Sequence, residues 1–148
     1  GISAVKMLDK DKKHYYRFEK IDDNFSRVRL GADGIVYIQG SDFGFQLHEI
    51  IHIQQSLNNE GLKFSGNNFL VNAQAPDNGY RFKESREAID TYRRMTAMEV
   101  EAYRVQYAYN NYFPISPITL NDITPTKIGR IIDQNGTPVY KFALLSNE

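Results

Sequence analysis

The sequence predicts an α+β fold, and three observations support this class. Between residues 15 and 39, apolar and polar residues alternate and are separated by turn-forming stretches, which is typical of β-strands. Two later segments, at about 42–58 and 83–112, carry apolar residues at helical spacing between capping and helix-breaking residues. Near the C-terminus, an Asn-Gly pair between two apolar runs predicts a β-hairpin.

The strands come first along the chain. Turn chemistry at residues 22–24 and 31–34 divides the alternating region into three strands, the last of which covers residues 35–39 and ends at Gly40. Either Ser41 or Asp42 can then cap a helix through its side-chain oxygen. These features predict a small N-terminal sheet that leads directly into a helix.

The first helix is expected to end at about Asn58, where Asn and Gly residues supply a C-terminal stop. Residues 61–82 are rich in Gly and Asn and predict an irregular excursion that can include a hairpin. A long second helix is expected over residues 83–112, because Pro114 and Pro117 follow it.

The last part of the chain, residues 114–148, is predicted to be a C-terminal β extension. Its hairpin is expected within residues 131–140, around Asn135-Gly136. At 148 residues, the chain has the length of one domain, so we expect a single domain over residues 1–148.

Composition excludes several classes of function. The 18 Lys and Arg residues balance the 18 Asp and Glu residues, so no net charge favours nucleic acid or an anionic membrane. No segment approaches the roughly 20 apolar residues that a membrane span requires. Because the chain has no cysteine, a metal would have to be bound by His and carboxylate side chains. The compartment stays open, and secretion or membership of a larger exported protein is compatible with this composition.

The segment LHEIIHIQQ contains an H-E-x-x-H pattern formed by His48, Glu49 and His52. Helical residues four apart lie on the same face, so both imidazoles can reach one metal ion, and Glu49 can reach a water on that ion as a general base. The alternative is an ordinary core-facing helix whose histidines are hydrogen-bonded and have no ligand. Burying these polar groups among Ile and Leu costs several kcal/mol unless they are paired, which favours the metal.

A third ligand is required, and the sequence restricts its identity. Position 58, where some zinc peptidases have a histidine, is Asn58 here. His14 lies beside two lysines and is expected at the surface. The candidates that remain are Glu99 and Glu101 on the second helix.

The helical wheel favours Glu99. At about 100 degrees per residue, Glu99 falls in the centre of the apolar stripe, whereas Glu101 falls among charged residues. A carboxylate within a buried stripe requires a partner, and one that faces water does not. We therefore expect Glu99 to be the third ligand.

The two motifs resemble those of the gluzincin branch of the zincin metallopeptidases. HEIIHIQQ, at residues 48–55, is similar to the HExxHxxQ form of small bacterial and phage-associated peptidase domains. EVEAY, at residues 99–103, is similar to the ExEAD motif of several gluzincins, with Tyr103 where Asp is common. The resemblance implies a zincin-like core, in which a small N-terminal sheet packs on the H-E-x-x-H helix and a second long helix.

The resemblance also implies a zinc-dependent peptide hydrolase with Zn²⁺ as its cofactor and Glu49 as its general base. Tyr103 would steady a ligand histidine or stabilise the oxyanion, and Tyr107, Tyr109 and Tyr112 are also available for the oxyanion. An extended peptide substrate would pair with the strand that begins at Ile35 and ends at Gln39, although this segment can equally be an ordinary half-buried strand.

Two other functions compete with the peptidase. The first is a non-catalytic zinc-binding module with a structural or protein-interaction role, which would need the ligands but not Glu49. The second is a metal-free interaction domain whose aromatic residues, 13% of the chain, contact a partner.

Overall fold

The strands and helices of this computed structural model confirm the α+β class. The structure describes residues 5–6, 8–22, 26–58, 63–65, 68–70, 86–116 and 119–146, with the backbone alone at 10, 63–65, 68–70, 86–88, 145 and 146. Contacts within the chain divide it into two compact units, Gly1–Val71 and Asn72–Glu148. The single domain expected over residues 1–148 stays a prediction.

The first unit contains a five-stranded sheet with the strand order β1-β3-β2-β5-β4. The strands are β1 (Tyr15–Lys20), β2 (Ser26–Leu30), β3 (Ile35–Gly40), β4 (Lys63–Ser65) and β5 (Asn68–Leu70). β1 and β3 are parallel, and the other neighbours are antiparallel. The three predicted strands before Gly40 are confirmed, as is a hairpin within the excursion; the rest of the excursion lies outside the described residues.

One face of the central strands is apolar. Val36 and Ile38 have no exposed surface, and Val28 on β2 lies opposite Ile38 and is also buried. Helix α1 (Phe43–Leu57) packs against β3 and β2. Each such side chain, once buried, stabilises the fold by roughly 2 kcal/mol, so this layer holds the helix in place.

Both ends of α1 are set by local chemistry. The Asp42 side chain accepts a hydrogen bond from the Phe45 backbone N–H at 3.0 Å, which makes Asp42 the N-cap. At the other end, the Asn58 N–H donates to the Gln54 carbonyl at 2.9 Å. The predicted helix therefore begins and ends where its capping residues indicate.

Gly40 brings the end of β3 into close contact with α1. A Cβ atom at Gly40 would lie 2.7 Å from the Phe45 Cβ and 2.9 Å from the Gln46 backbone nitrogen. These distances are shorter than van der Waals contact, so only glycine fits this position. The path from strand to helix is therefore determined by backbone contact.

The second unit is built on the long helix α2 (Arg86–Asn110). It ends two residues before its predicted end because Asn111 adopts a left-handed conformation with φ of 58 degrees. Asn tolerates this conformation better than most residues and commonly follows a helix end. The predicted start, at residues 83–85, lies outside the described residues.

The two faces of α2 differ as the helical wheel predicts. Tyr92, Met95 and Ala102 have no exposed surface, whereas Arg93 and Arg94 are exposed. The described helices include none that is both long enough and apolar enough to cross a membrane.

Among the described residues of the C-terminal segment, 114–116 and 119–146, the regular elements are short helices and none is a strand, so the β extension predicted over residues 114–148 is wrong there. Two short helices, α3 (Pro125–Gly129) and α4 (Lys141–Ser146), pack against α2 and against each other. Pro125 occupies the first turn of α3, where a missing N–H costs nothing, and Thr124 caps that helix.

The predicted hairpin is reduced to a turn with a single β-bridge, between Ile132 and Pro138. A turn does form, with the Gly136 N–H donating to the Asp133 carbonyl at 3.1 Å and Gly136 at a φ of 77 degrees. It is not the two-residue Asn-Gly turn that was expected, because that turn requires a positive φ at Asn135 as well, and Asn135 does not have one. Two backbone hydrogen bonds flank the bridge, from the Asp133 N–H to the Thr137 carbonyl at 2.9 Å and from the Val139 N–H to the Ile131 carbonyl at 3.0 Å. The pairing goes no further, because α4 begins three residues after Pro138.

Candidate metal centre

His48 and His52 lie one turn apart on α1, and their imidazole rings meet on the same face of the helix. Their side chains are 4% and 6% exposed, and their rings meet edge-on with centroids 4.9 Å apart. The Nε2 atoms of the two rings are 3.2 Å apart. The spacing of four residues therefore brings together two nitrogens that are suited to metal binding.

Gln55 determines which nitrogen of His52 carries the proton. Its amide oxygen lies 2.8 Å from the His52 Nδ1, and the Gln55 side chain is 1% exposed. An amide oxygen can only accept, so Nδ1 is the donor, and the lone pair of the neutral ring lies on Nε2. This is the tautomer that a metal bound through Nε2 requires.

The distance between the two Nε2 atoms fits a shared metal ion. Two nitrogens bound to tetrahedral zinc at about 2.0–2.1 Å are held about 3.4 Å apart. The observed separation of 3.2 Å is close to this value. Without a metal, the same distance suits a hydrogen bond from the His48 Nε2–H to the lone pair of His52.

Glu99 is buried and Glu101 is exposed, as the wheel predicts for the two carboxylates of α2. The ligand atoms of His48, His52 and Glu99 all lie within 4.8 Å of one another. In the part of the chain that the structure describes, no other group of three His, Asp or Glu residues has this arrangement. Two imidazoles and one carboxylate are a ligand set that catalytic zinc sites use, and they leave a coordination position open.

Glu49 is 8% exposed and lies next to His48 on α1. Its Oε1 atom accepts a hydrogen bond from the Ser26 hydroxyl, with a distance of 2.9 Å between the two oxygens. Glu49 does not belong to the group of three that can hold a metal. This arrangement is compatible with the predicted role of Glu49 as a base rather than a ligand.

The Tyr103 hydroxyl is hydrogen-bonded to the Tyr140 hydroxyl at a distance of 2.8 Å. The Tyr103 ring also packs edge-on against Phe113 and Tyr140, with centroid distances of 5.0 and 6.1 Å. These contacts explain why this tyrosine is 8% exposed. Its predicted role toward an oxyanion or a ligand histidine stays a prediction.

His14 has a local partner. Its Nδ1 lies 2.9 Å from Asp11, whose carboxylate also accepts from the Tyr16 hydroxyl and the Lys13 backbone. Burial raises the pKa of Asp11, but these hydrogen bonds outweigh it and hold the pKa below its usual value. His14 belongs to no metal-binding group among the described residues.

The prediction that a peptide substrate pairs along residues 35–39, from Ile35 to Gln39, is wrong. Strand β3 pairs with β1 on one side and with β2 on the other. Its backbone groups are therefore already used, and no edge is available for another strand. The edges of the sheet are β1 and β4.

The sequence prediction missed two interactions at this site. Gln55 was part of the motif but had no assigned role, although its position three residues after His52 places it within reach on the same helix face. Ser26 lies on β2, far from Glu49 in the sequence, and only strand pairing brings it to α1. No local pattern could have identified it.

The chain matches no protein-family model, no curated protein and no solved structure.

Proposed function

We propose that this protein is a zinc-dependent metallopeptidase with a zincin-like fold and a gluzincin-type ligand set. One observation supports this most: the Nε2 atoms of His48 and His52 face each other at 3.2 Å within a buried group that includes Glu99. Glu49 follows His48 directly, as a base for a metal-activated water requires.

Zinc is the metal that this ligand set favours. The chain has no cysteine, and the group offers two imidazole nitrogens and a carboxylate oxygen. This His₂Glu set occurs in zinc peptidases, whereas magnesium and calcium prefer all-oxygen sites. When bound, zinc polarises the scissile carbonyl and activates water at neutral pH.

The remaining chemistry belongs to Glu49. Its carboxylate takes a proton from the attacking water and returns it to the leaving amine as the peptide C–N bond breaks. The buried surroundings strengthen this effect, because charges interact more strongly where water is excluded. A peptide or protein is therefore the substrate class that we propose.

The test measures zinc content and peptide hydrolysis on the same preparations. We expect about one zinc per chain in the wild type and in Glu49→Gln, since Glu49 is not a ligand in this proposal. Hydrolysis of a quenched-fluorescence peptide library should fall about 10²- to 10⁴-fold in Glu49→Gln, which is the usual contribution of a general base. Glu101→Gln, which changes an exposed glutamate, is the matched control and should retain both zinc and activity.

The other outcomes separate the competing functions. Zinc in every protein without hydrolysis in any would support a non-catalytic zinc-binding module. The absence of zinc from wild-type protein supplied with the metal would overturn both metal-based functions and favour an interaction domain.

A further inference from the structure

The Ser26 side chain contacts the carboxylate of Glu49. Its hydroxyl donates to the Glu49 Oε1 at 2.9 Å, and Glu49 is a buried residue, 8% exposed. Among the described residues, Ser26 is the one side chain with a hydrogen bond to this carboxylate. Hydrogen bonds to a charged, largely buried group are among the stronger ones in proteins.

The backbone places Ser26 at this point. Ser26 is the first residue of β2 and pairs with Gly40, the last residue of β3. Side chains two residues apart on a strand share a face, so Ser26 lies on the same face as the buried Val28, which is the face covered by α1. Because Gly40 has no side chain, nothing on β3 separates the Ser26 hydroxyl from the helix.

We propose that Ser26 is a positioning residue for Glu49, an inference that rests on the proposed peptidase function. A glutamate side chain rotates about three bonds, and a general base must be held near its productive geometry. With Oε1 held by Ser26, Oε2 is the atom that takes the proton.

Ser26 neither gains nor loses a proton during the proposed reaction. A lone pair of the water oxygen forms the new C–O bond, and the water proton moves to Oε2. As the C–N bond breaks, its electron pair leaves with nitrogen, and Oε2 returns the proton to that nitrogen. Ser26 keeps its own proton throughout and touches no reacting atom.

The kinetic test compares Ser26→Ala, Ser26→Thr and a control, Ser116→Ala, which changes an exposed serine. Loss of the hydroxyl should lower kcat about tenfold and leave KM within about twofold, since one hydrogen bond to a charged group is removed and substrate contacts are kept. Thr retains a hydroxyl and should restore most of kcat. Zinc content should be unchanged in all variants.

A second measurement does not depend on activity. The zinc-free wild type, Ser26→Ala, Glu49→Ala and the double variant form a double-mutant cycle. The stability of each protein is measured by urea unfolding. We expect Ser26→Ala to lower the folding equilibrium constant about tenfold when Glu49 is present and by less than about threefold when it is absent. Additive effects would show that the contact does not form and would overturn the proposal.

The outcomes separate the two proposals. If the wild type hydrolyses peptides but Ser26→Ala has an unchanged kcat, Ser26 only satisfies a buried carboxylate, and the positioning role is overturned while the peptidase stands. If zinc-loaded wild type hydrolyses nothing, the peptidase proposal fails and the positioning role fails with it, even where the cycle shows coupling.

Discussion

At the residue scale, the Gln55 amide oxygen determines which nitrogen of His52 is available to a metal. The oxygen lies 2.8 Å from Nδ1 within the buried interior. Groups that hydrogen-bond to a ligand histidine in this way orient the ring and raise its basicity. In the proposed metal site, Gln55 would therefore contribute to metal affinity without being a ligand.

Removal of this amide should weaken zinc binding. Gln55→Ala leaves the His52 Nδ1 without its acceptor, and such losses typically reduce metal affinity about 10- to 100-fold. Competition with a chromophoric chelator measures the affinity. Gln54→Ala, which changes a neighbouring glutamine that is only half-buried, is the matched control and should bind zinc like the wild type. Equal affinities for the two variants would contradict the role of Gln55.

Some of the site could be predicted from single residues and some could not. The preference for Glu99 over Glu101 followed from helical geometry, because burial on a helix repeats with a known period. The Ser26 contact could not be predicted in this way. It depends on the pairing of β2 with β3, which local spacing does not specify.

At the element scale, Asp42 connects the sheet to α1. Its carboxylate satisfies the backbone N–H of Phe45, one of the donors that a helix start leaves without a partner. The cap acts at the end of α1 that follows Gly40, where the helix leaves the sheet. It therefore contributes to the stability of the helix that carries both histidines.

Replacement of this cap should destabilise the fold measurably. Asp42→Ala should lower the free energy of unfolding by about 1 kcal/mol, as N-cap losses generally do. Asp42→Asn keeps the side-chain acceptor and should lie within a few tenths of a kcal/mol of the wild type. Urea unfolding of the zinc-free proteins measures both. A loss of the same size in Asp42→Asn would show that charge, rather than the cap, is responsible.

The elements were predictable to the extent that their signals are local. Caps and turns placed three strands and α1 close to their observed bounds. The β-hairpin prediction for the C-terminal segment was wrong because Asn135-Gly136 specifies a turn but not the strands beside it. The pairing ends with one bridge, and the sequence that follows forms α4 against α2, a contact with residues far away in the chain.

At the scale of the whole molecule, a bound metal should couple to folding, because its ligands are distant in sequence. The unfolded chain does not hold His48, His52 and Glu99 together, so zinc binds the native state preferentially. Free zinc at about a thousand times its Kd should stabilise the protein by about 4 kcal/mol.

The measurement is thermal or urea unfolding at fixed pH, with and without zinc. Glu99→Ala should lose most of the zinc-dependent stabilisation at the same zinc concentration, since one ligand is missing. Glu101→Ala should keep it. Equal responses of the two variants to zinc would refute the assignment of Glu99.

The order of the strands in the sheet could not be predicted from local patterns. The composition of residues 35–39 suits an edge strand as well as a central strand. Nothing within this segment shows that β1 and β2 pair with it on both sides. The order of strands is set by pairings between distant segments, so the place where a substrate could add was predicted wrongly.

The contact at Gly40 also bears on how this centre can be transferred to another protein. The helix with both histidines lies so close to the end of the strand that a Cβ atom at Gly40 would meet the Phe45 Cβ and the Gln46 backbone nitrogen. A graft of the helix alone onto a new scaffold would lose that spacing. The piece that carries the two histidines in their setting is the continuous block from the start of β3 to the end of α1, with its glycine intact, and the new scaffold would have to supply the carboxylate of Glu99.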